Sequence, residues 1–237
     1  MSRRRSVQAF ALALAVGSAL LAACGSPSYE YVRNTEAKTA FKVPHGWTLF
    51  DEAAMQGDAQ GQLASAPDPV EWLVGFDADP APAREHVLSL AAGSDTTYPH
   101  GIAGVYSLST EARDNVNLTE LRNLIIPIDS IRDQVGSEAL NLIAYDDHLE
   151  IDGFRGLHFE AQVSISALEF VLGDGAVAGG DGSSVLLSDD YLHINQTAYM
   201  DPSTDKVYLM VVVCSADCYE RNRADIETVV DSWAVIA

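Results

Sequence analysis

The feature that most restricts the fold is residues 207–213, Val-Tyr-Leu-Met-Val-Val-Val, in which every side chain is apolar. Successive side chains of a strand point to opposite faces of its sheet. A strand that is apolar at both odd and even positions therefore needs cover on both faces. We predict that Lys206 to Cys214 form a central strand of a sheet lying between two other layers. The run is too short to cross a membrane as a helix.

A second strand is predicted by strict alternation in residues 157–166. It follows a turn at Asp152-Gly153 and pairs with a neighbour at residues 191–200. His158 and His193 fall on the polar faces of these two strands, and we interpret that surface as an ordinary solvated sheet face rather than a metal or catalytic pair. The alternating apolar positions are Leu157, Phe159, Ala161, Val163 and Ile165.

Helical spacing marks two further segments. The second half of residues 110–126 has Asn117 as its predicted cap and Pro127 as its stop. A closing helix starts with Asp217 and Glu220, a D-x-x-E variant of the capping box, and residues 233–236 are predicted to be an edge strand. The apolar positions of the closing helix are Tyr219, Ile226, Val229, Val230 and Trp233.

Shorter patterns complete the domain. Residues 40–43 alternate and end at the turn Pro44-His45-Gly46-Trp47, while residues 70–77, 101–108 and 140–145 have the composition of strands. We predict one globular domain over residues 39–237. Its fold class is α+β, an antiparallel sheet flanked by helices.

The N-terminus indicates export. Arginines at positions 3–5 precede an apolar run at residues 7–23, which ends in Leu21-Ala22-Ala23-Cys24. This tetrad resembles a lipobox, so residues 1–23 are predicted to be a lipoprotein signal peptide. Cys24 would carry the lipid on the outer face of the cell membrane, with residues 24–38 as a flexible tether that has some order near Tyr29 and Tyr31. An uncleaved anchor, a signal peptide without lipidation, and the general or the twin-arginine export route remain open.

Charge excludes one class of partner. Without residues 1–23 the chain keeps 34 acidic residues against 14 − 3 = 11 basic ones, a formal charge of −23. Nucleic acid is therefore not an expected partner. The same charge repels anionic lipids, so contact with the membrane is expected through the acyl chains of Cys24.

Cys214 and Cys218 remain once Cys24 is lipidated. Outside the cytosol an even number of thiols favours a disulfide, and three intervening residues suit its Cα spacing if they form a turn. A reduced pair and a two-ligand metal site stay open as alternatives.

Motifs of catalysis are missing from the sequence. There is no G-x-S-x-G elbow, and the histidines occur singly, without H-E-x-x-H. Asp146-Asp147-His148 could form a ligand cluster, but neighbours on a strand point to opposite faces. We interpret the triplet as a loop with solvated charges. We predict no catalytic residue, no metal ligand and no cofactor.

The segment from Gly173 to Asp190 connects two strands and is unusually long for that purpose. It is rich in glycine and aspartate. Clustered carboxylates outside the cell suit calcium, but the nonapeptide at 179–187 has Ser184 where a calcium turn needs aspartate. Both a mobile loop and a calcium site remain open.

Two stretches carry a resemblance to a known family. The opening Phe41-Lys42-Val43-Pro44-His45-Gly46-Trp47 and the close from Val207 through Cys214 and Cys218 to Trp233 resemble PsbP-like α/β/α sandwiches, including LpqN-like envelope lipoproteins of the actinobacterial type. The resemblance implies that architecture. It also implies binding, assembly or trafficking without catalysis, and it transfers no catalytic residue.

We therefore expect a lipid-tethered, non-catalytic envelope module that binds an envelope protein or an apolar envelope ligand. A long-range charge effect would favour a basic partner. The surface around Trp47 and residues 173–190 are the candidate contact regions. An envelope hydrolase with a site assembled from distant residues and a calcium-dependent binding module are the alternative functions.

Overall fold

The structure is a computed structural model that describes residues 28–55, 70–88, 96–172 and 190–236. The strands in these ranges are β1 (Tyr29–Asn34), β2 (Thr39–Pro44), β3 (Thr48–Phe50), β4 (Val70–Asp77), β5 (His100–Ser107), β6 (Leu140–Ile151), β7 (Phe154–Ser164), β8 (Tyr191–Met200), β9 (Lys206–Ser215) and β10 (Ala234–Val235). The α-helices are α1 (Glu52–Met55), α2 (Arg84–Leu88), α3 (Thr110–Asn115), α4 (Leu118–Arg122), α5 (Ile128–Gln134), α6 (Ile165–Leu172) and α7 (Ala216–Asp231).

The strands form two antiparallel sheets. A seven-stranded sheet has the order β3-β4-β5-β9-β8-β7-β6, and a three-stranded sheet has the order β1-β2-β10. Strand β9 is the fourth of seven, so the predicted central strand is confirmed. The predicted α+β class with helices against an antiparallel sheet is confirmed as well.

Each face of the large sheet has its own core. Alternate residues of β9 divide between them, with Leu209 and Val211 in one core and Met210 and Val212 in the other. The first core is covered by α4, α5 and α6, and the second by α7 and the three-stranded sheet. The residues that represent these covers are Leu121, Ile131 and Leu168 on the first face and Phe41, Tyr219, Ile226 and Val230 on the second.

Polar residues cap the N-termini of two helices. Asn117 caps α4 and accepts hydrogen bonds from the backbone N–H of Thr119 and Glu120 at 2.8 and 3.2 Å, as predicted, although α4 ends at Arg122. The cap of α7 is Ser215, whose hydroxyl accepts from the Cys218 N–H at 3.3 Å. The capping box at Asp217 was therefore wrong, because the cap lies two residues earlier and Asp217 is in the first turn of the helix.

The predicted turn between β6 and β7 is confirmed. Asp152 and Gly153 have φ values of 49° and 84°, and a tight hairpin needs positive φ at both central residues. Strand β7 ends at Ser164 rather than continuing through Ile165, which begins α6.

The described secondary structure includes residues before 39, the predicted start of the domain. Strand β1 pairs with β2 from Tyr29↔Pro44 to Asn34↔Thr39, so residues 29–34, predicted as part of a tether with some order near Tyr29 and Tyr31, are a strand. The segment has few aliphatic side chains because it is an outer, half-exposed strand. Its position therefore depends strongly on backbone hydrogen bonds to β2. The signal peptide of residues 1–23 and Cys24 lie outside the described residues.

Within the described ranges, none of the helices is long and apolar enough to cross a membrane.

Candidate functional site

A group of polar side chains lies on the face of the large sheet that α7 covers. We call it the histidine cluster: His158 and Glu160 on β7, His193 and Asn195 on β8, and Tyr219 on α7. The β7/β8 register sets Glu160 opposite Asn195 and Gln162 opposite His193. His193 is only 1% exposed. The interpretation of this face as solvated was therefore wrong for His193, because α7 packs over it.

Hydrogen bonds and stacking join the cluster. The His193 ring stacks on Tyr219 with centroids 3.4 Å apart and planes 7° apart, and its Nε2 lies 2.8 Å from Glu160 Oε1. Asn195 Nδ2 donates to the Tyr219 hydroxyl at 3.1 Å. His158 Nε2 donates to Asn195 Oδ1 at 2.9 Å. The two histidines thus belong to one network but do not contact each other.

Burial keeps His193 neutral. Desolvation lowers the pKa of its imidazole, and the Glu160 carboxylate opposes that shift. The neutral ring donates its Nε2–H to Glu160, which leaves Nδ1 buried and without a hydrogen-bond partner among the described residues. The Arg223 guanidinium lies 4.0 Å from Glu160 and 5.1 Å from the Tyr219 ring centroid. The Glu160 carboxylate therefore has two partners, the imidazole of His193 and the guanidinium of Arg223.

The histidine cluster has a structural role. Burial raises the pKa of Tyr219 to about 12, so its hydroxyl is not ionised near neutral pH. Cys214, the cross-strand neighbour of His193, is bonded to Cys218 with the Cα atoms 5.9 Å apart. The neighbouring sulfur atoms thus offer no free thiol. The network connects β7, β8 and α7 and holds the helix on the sheet.

A second buried carboxylate belongs to Asp77, at the end of β4. It is 1% exposed, and its Oδ2 accepts from the Ala83 N–H at 3.0 Å and lies 2.9 Å from His86 Nδ1. Its Oδ1 accepts from the Asp79 N–H at 2.8 Å. Asp77 therefore organises the connection to α2. Its position directly after an apolar strand was a signal that the sequence analysis missed.

Asp146, Asp147 and His148 lie in strand β6, so the interpretation of this triplet as a loop was wrong. A bulge between Asp146 and Leu149 interrupts the pairing with β7, and bulges remove the alternation that separates neighbours. Ligand-type atoms of the three residues lie within 4.8 Å of one another, with His148 Nδ1 2.7 Å from Asp147 Oδ1. The His148 and Asp146 side chains are open to solvent, so the group is a charged surface feature.

Strand β6 also carries most of the large hydrophobic side chains that are exposed among the described residues. Six large hydrophobic side chains are described as exposed, and four of them lie on β6: Leu142, Ile143, Tyr145 and Ile151. Strand β6 ends the sheet and pairs only with β7 among the described residues. We call the outer side of this strand, with its exposed side chains, the β6 edge.

The remaining candidate residues are distributed as follows. Trp47 is half-buried and stacks on Phe76 with centroids 5.9 Å apart, so it belongs largely to the core. Residues 173–189 lie outside the described residues. The alternatives predicted for them, a mobile loop and a calcium site, therefore both stay predictions. Shallow depressions of ≈ 380 and ≈ 390 Å³ occur beside Lys42 and beside Arg155, away from the histidine cluster.

Comparison with known proteins finds similarity only in structure. No family model matches the sequence, and no curated protein matches it. The solution structure of cyanobacterial PsbP (CyanoP) from Synechocystis sp. PCC 6803 is 13% identical, covers 90% of this chain and 95% of its own, and has a TM-score of 0.46. The Saccharomyces cerevisiae Ran-binding protein Mog1p is 10% identical, with coverages of 89% and 97% and a TM-score of 0.42.

A PsbP structure is thus among the structures that are similar to this chain. Identities this low, with TM-scores below 0.5, assign no function and no partner to this chain.

Proposed function

We propose that this chain is an envelope lipoprotein, anchored through Cys24, whose domain is a non-catalytic binding module. The single observation that carries the binding role is the β6 edge, a twelve-residue outer strand with four exposed large apolar side chains. Exposed apolar surface concentrated in one place marks an interaction site. The partner is an envelope protein.

The anchor is supported by the sequence around Cys24. Three arginines, an apolar run and Leu21-Ala22-Ala23 precede this cysteine, and lipidation would add about 0.8 kcal/mol of membrane affinity per buried methylene.

The start of β1 shortens the proposed tether. Only residues 25–28 separate Cys24 from Tyr29, the first residue of β1. Five Cα steps span at most about 18 Å. The lipidated protein would therefore hold its domain close to the membrane, and its partner must be reachable there.

Neither alternative function gains support from the described contacts. The histidine cluster is connected internally and lies beside bonded cysteines. A calcium-dependent module would depend on residues 173–189, which lie outside the described ranges.

The anchor is tested by changing Cys24→Ala. The native chain should enter the detergent phase of a phase-partitioning experiment, and the variant should move to the aqueous phase and be released from membranes. Variant protein that still partitions with detergent would overturn the lipid anchor. Cys214→Ala/Cys218→Ala serves as the cysteine control and should remain in the detergent phase.

The binding role is tested by crosslinking in intact envelopes, followed by mass spectrometry. A photoreactive residue replaces Ile143 on the β6 edge, and as a control it replaces Glu36 on the exposed β1–β2 turn. A reproducible protein crosslink from position 143 and none from position 36 supports the module. Crosslinks to lipid alone, or none at either position, contradict it.

A further inference from the structure

The two outer strands of the large sheet are very different. Strand β3 has three residues, whereas β6 has twelve, which corresponds to a length of about 40 Å. Among the described residues β6 has a partner strand only on its β7 side. An outer strand presents unpaired backbone N–H and C=O groups, and proteins use such edges to bind extended peptides as added strands.

The side chains of β6 favour such an addition. Leu142 is 51% exposed, Ile143 46% and Ile151 40%. Natural edges are usually protected by being short or charged, and β6 is long and keeps apolar side chains in solvent. This apolar surface is available to a partner strand.

The charges of β6 select among partners. Asp146, Asp147 and Glu150 lie on the strand, which contains no lysine or arginine. His148 is its one side chain that can become positive, and it already contacts Asp147 at 2.7 Å. Arg155 is the cross-strand neighbour of Glu150. The edge therefore carries its negative charge over residues 146–150 and its exposed apolar side chains at Leu142, Ile143, Tyr145 and Ile151.

A second copy of the chain does not suit this edge. Two antiparallel β6 strands would bring their aspartates together, and each chain without residues 1–23 already carries a formal charge of −23. Like charges directly opposite each other destabilise strand pairs. Self-association is disfavoured, whereas a basic strand is attracted.

We infer that the β6 edge binds an extended segment of a protein partner in which apolar and basic side chains alternate. The segment adds to the sheet as an eighth strand beside β6. Leu142 and Tyr145 pair with Ala161 and Phe159 of the first core, whereas Asp146 pairs with His158 on the α7 face. The apolar residues of the segment therefore lie on the face of Leu142 and Tyr145, and its lysines or arginines lie on the face of Asp146. This inference rests on the proposed binding role and specifies the chemistry of the partner.

The test uses the full-length chain in non-ionic detergent and a fluorescent peptide of about ten residues in which Val and Lys alternate. One control peptide has the same composition in two blocks, and another replaces Lys by Glu. The alternating basic peptide should bind at least about tenfold more tightly than either control, with affinity falling as salt rises. Equal affinity for the alternating and block peptides would overturn strand addition.

Location is tested with a charge-matched pair of variants. Asp146→Asn/Asp147→Asn/Glu150→Gln should weaken peptide binding about tenfold or more, and Glu30→Gln/Glu36→Gln/Asp231→Asn should change it less than about twofold. The peptide should also slow amide hydrogen exchange in β6. Equal losses in both variants, or protection confined to other strands, would overturn the inference.

Two outcomes separate this inference from the proposed function. If sedimentation shows a dimer that Ile143→Asp dissociates, a second copy occupies the edge and the inference is wrong. If envelope crosslinking from position 143 captures a protein while all peptides bind equally weakly, the partner docks differently: strand addition is overturned and the binding module stands.

Discussion

The histidine cluster and the β6 edge lie on neighbouring strands but differ in what they bury. The cluster buries polar side chains, whereas the edge exposes apolar ones. In the cluster, His193 and Glu160 are turned inward, and α7 closes over them with Tyr219 stacked on the imidazole. On β6, Leu142 and Ile143 are turned outward, beside aspartates that also face solvent. The polar groups of the histidine cluster bind each other, whereas the exposed side chains of the β6 edge remain available to a second molecule.

The difference shows that buried titratable groups do not by themselves mark a functional site. Perturbed pKa values also accompany structural networks, and here the perturbed His193 joins two strands to a helix. The exposed edge has ordinary residues in an unusual place. Substitutions in the cluster should therefore change stability, and substitutions on the edge should change binding.

The largest effect is expected for His193→Leu. The change removes the hydrogen bond to the Glu160 carboxylate and the stacking on Tyr219, so the free energy of unfolding should fall by about 3 kcal/mol. Urea denaturation measures it. His158→Gln, which keeps a donor near Asn195, is the control and should cost much less. A loss as small as that of the control would mean that the cluster is not a stabilising network.

Removing the disulfide should have the next largest effect. Cys214 and Cys218 are separated by four positions, and closing so short a loop restricts the unfolded chain by about 2 kcal/mol. Cys214→Ala/Cys218→Ala should lower the free energy of unfolding by this amount. Alkylation of the exported protein without reductant should leave both cysteines unlabelled, and two labelled thiols would contradict the bond.

The pH dependence of stability should report on His193. Burial lowers the pKa of the folded imidazole below its usual 6.5, so the unfolded chain binds more protons in this range. Stability from this group is complete above about pH 6.5 and falls as pH decreases toward the folded pKa. The groups facing the ring that set this pKa are Glu160, Glu220 and Arg223.

Melting temperatures between pH 7.5 and 5 measure the effect. Wild type should lose more stability on acidification than His193→Gln, in which position 193 does not titrate. Parallel curves for the two proteins would show that His193 is not held neutral by the fold.

The smallest effect on stability is expected on the edge. Ile143→Gln and Ile151→Gln exchange exposed side chains and should change the free energy of unfolding by less than about 0.5 kcal/mol. Retention on a hydrophobic-interaction column should nevertheless decrease, because exposed apolar area is removed. A loss of stability comparable to that of His193→Leu would show that the edge is part of the core.

Elements in which apolar residues recur at a regular spacing were predictable. Strand β9 needed cover on both faces. Apolar residues recur at every second position in β7 and at every third or fourth position in α7. Strand β1 and the second half of β6 were not predictable, because neither has an apolar period: β1 is half-exposed, and the bulges in β6 interrupt its alternation. The side chains of Asp146, Asp147 and His148 come together only through such a bulge.

In the candidate site, too, local features were predictable and contacts between distant segments were not. The pairing of β7 with β8 was visible in the sequence, but the burial of His193 was not, because its cover comes from Tyr219 on a helix that begins more than twenty positions later in the chain. The proximity of Cys214 and Cys218 was visible because only three residues separate them.

The sequence by itself determined the period of each main strand and helix, the central position of β9 and the turn at Asp152-Gly153, since these depend on local side-chain patterns and backbone conformation. Only the tertiary structure decided which polar face is buried and which strand remains at the edge. Those properties depend on which distant segments pack together: α7 over His193, and no strand beyond β6 among the described residues.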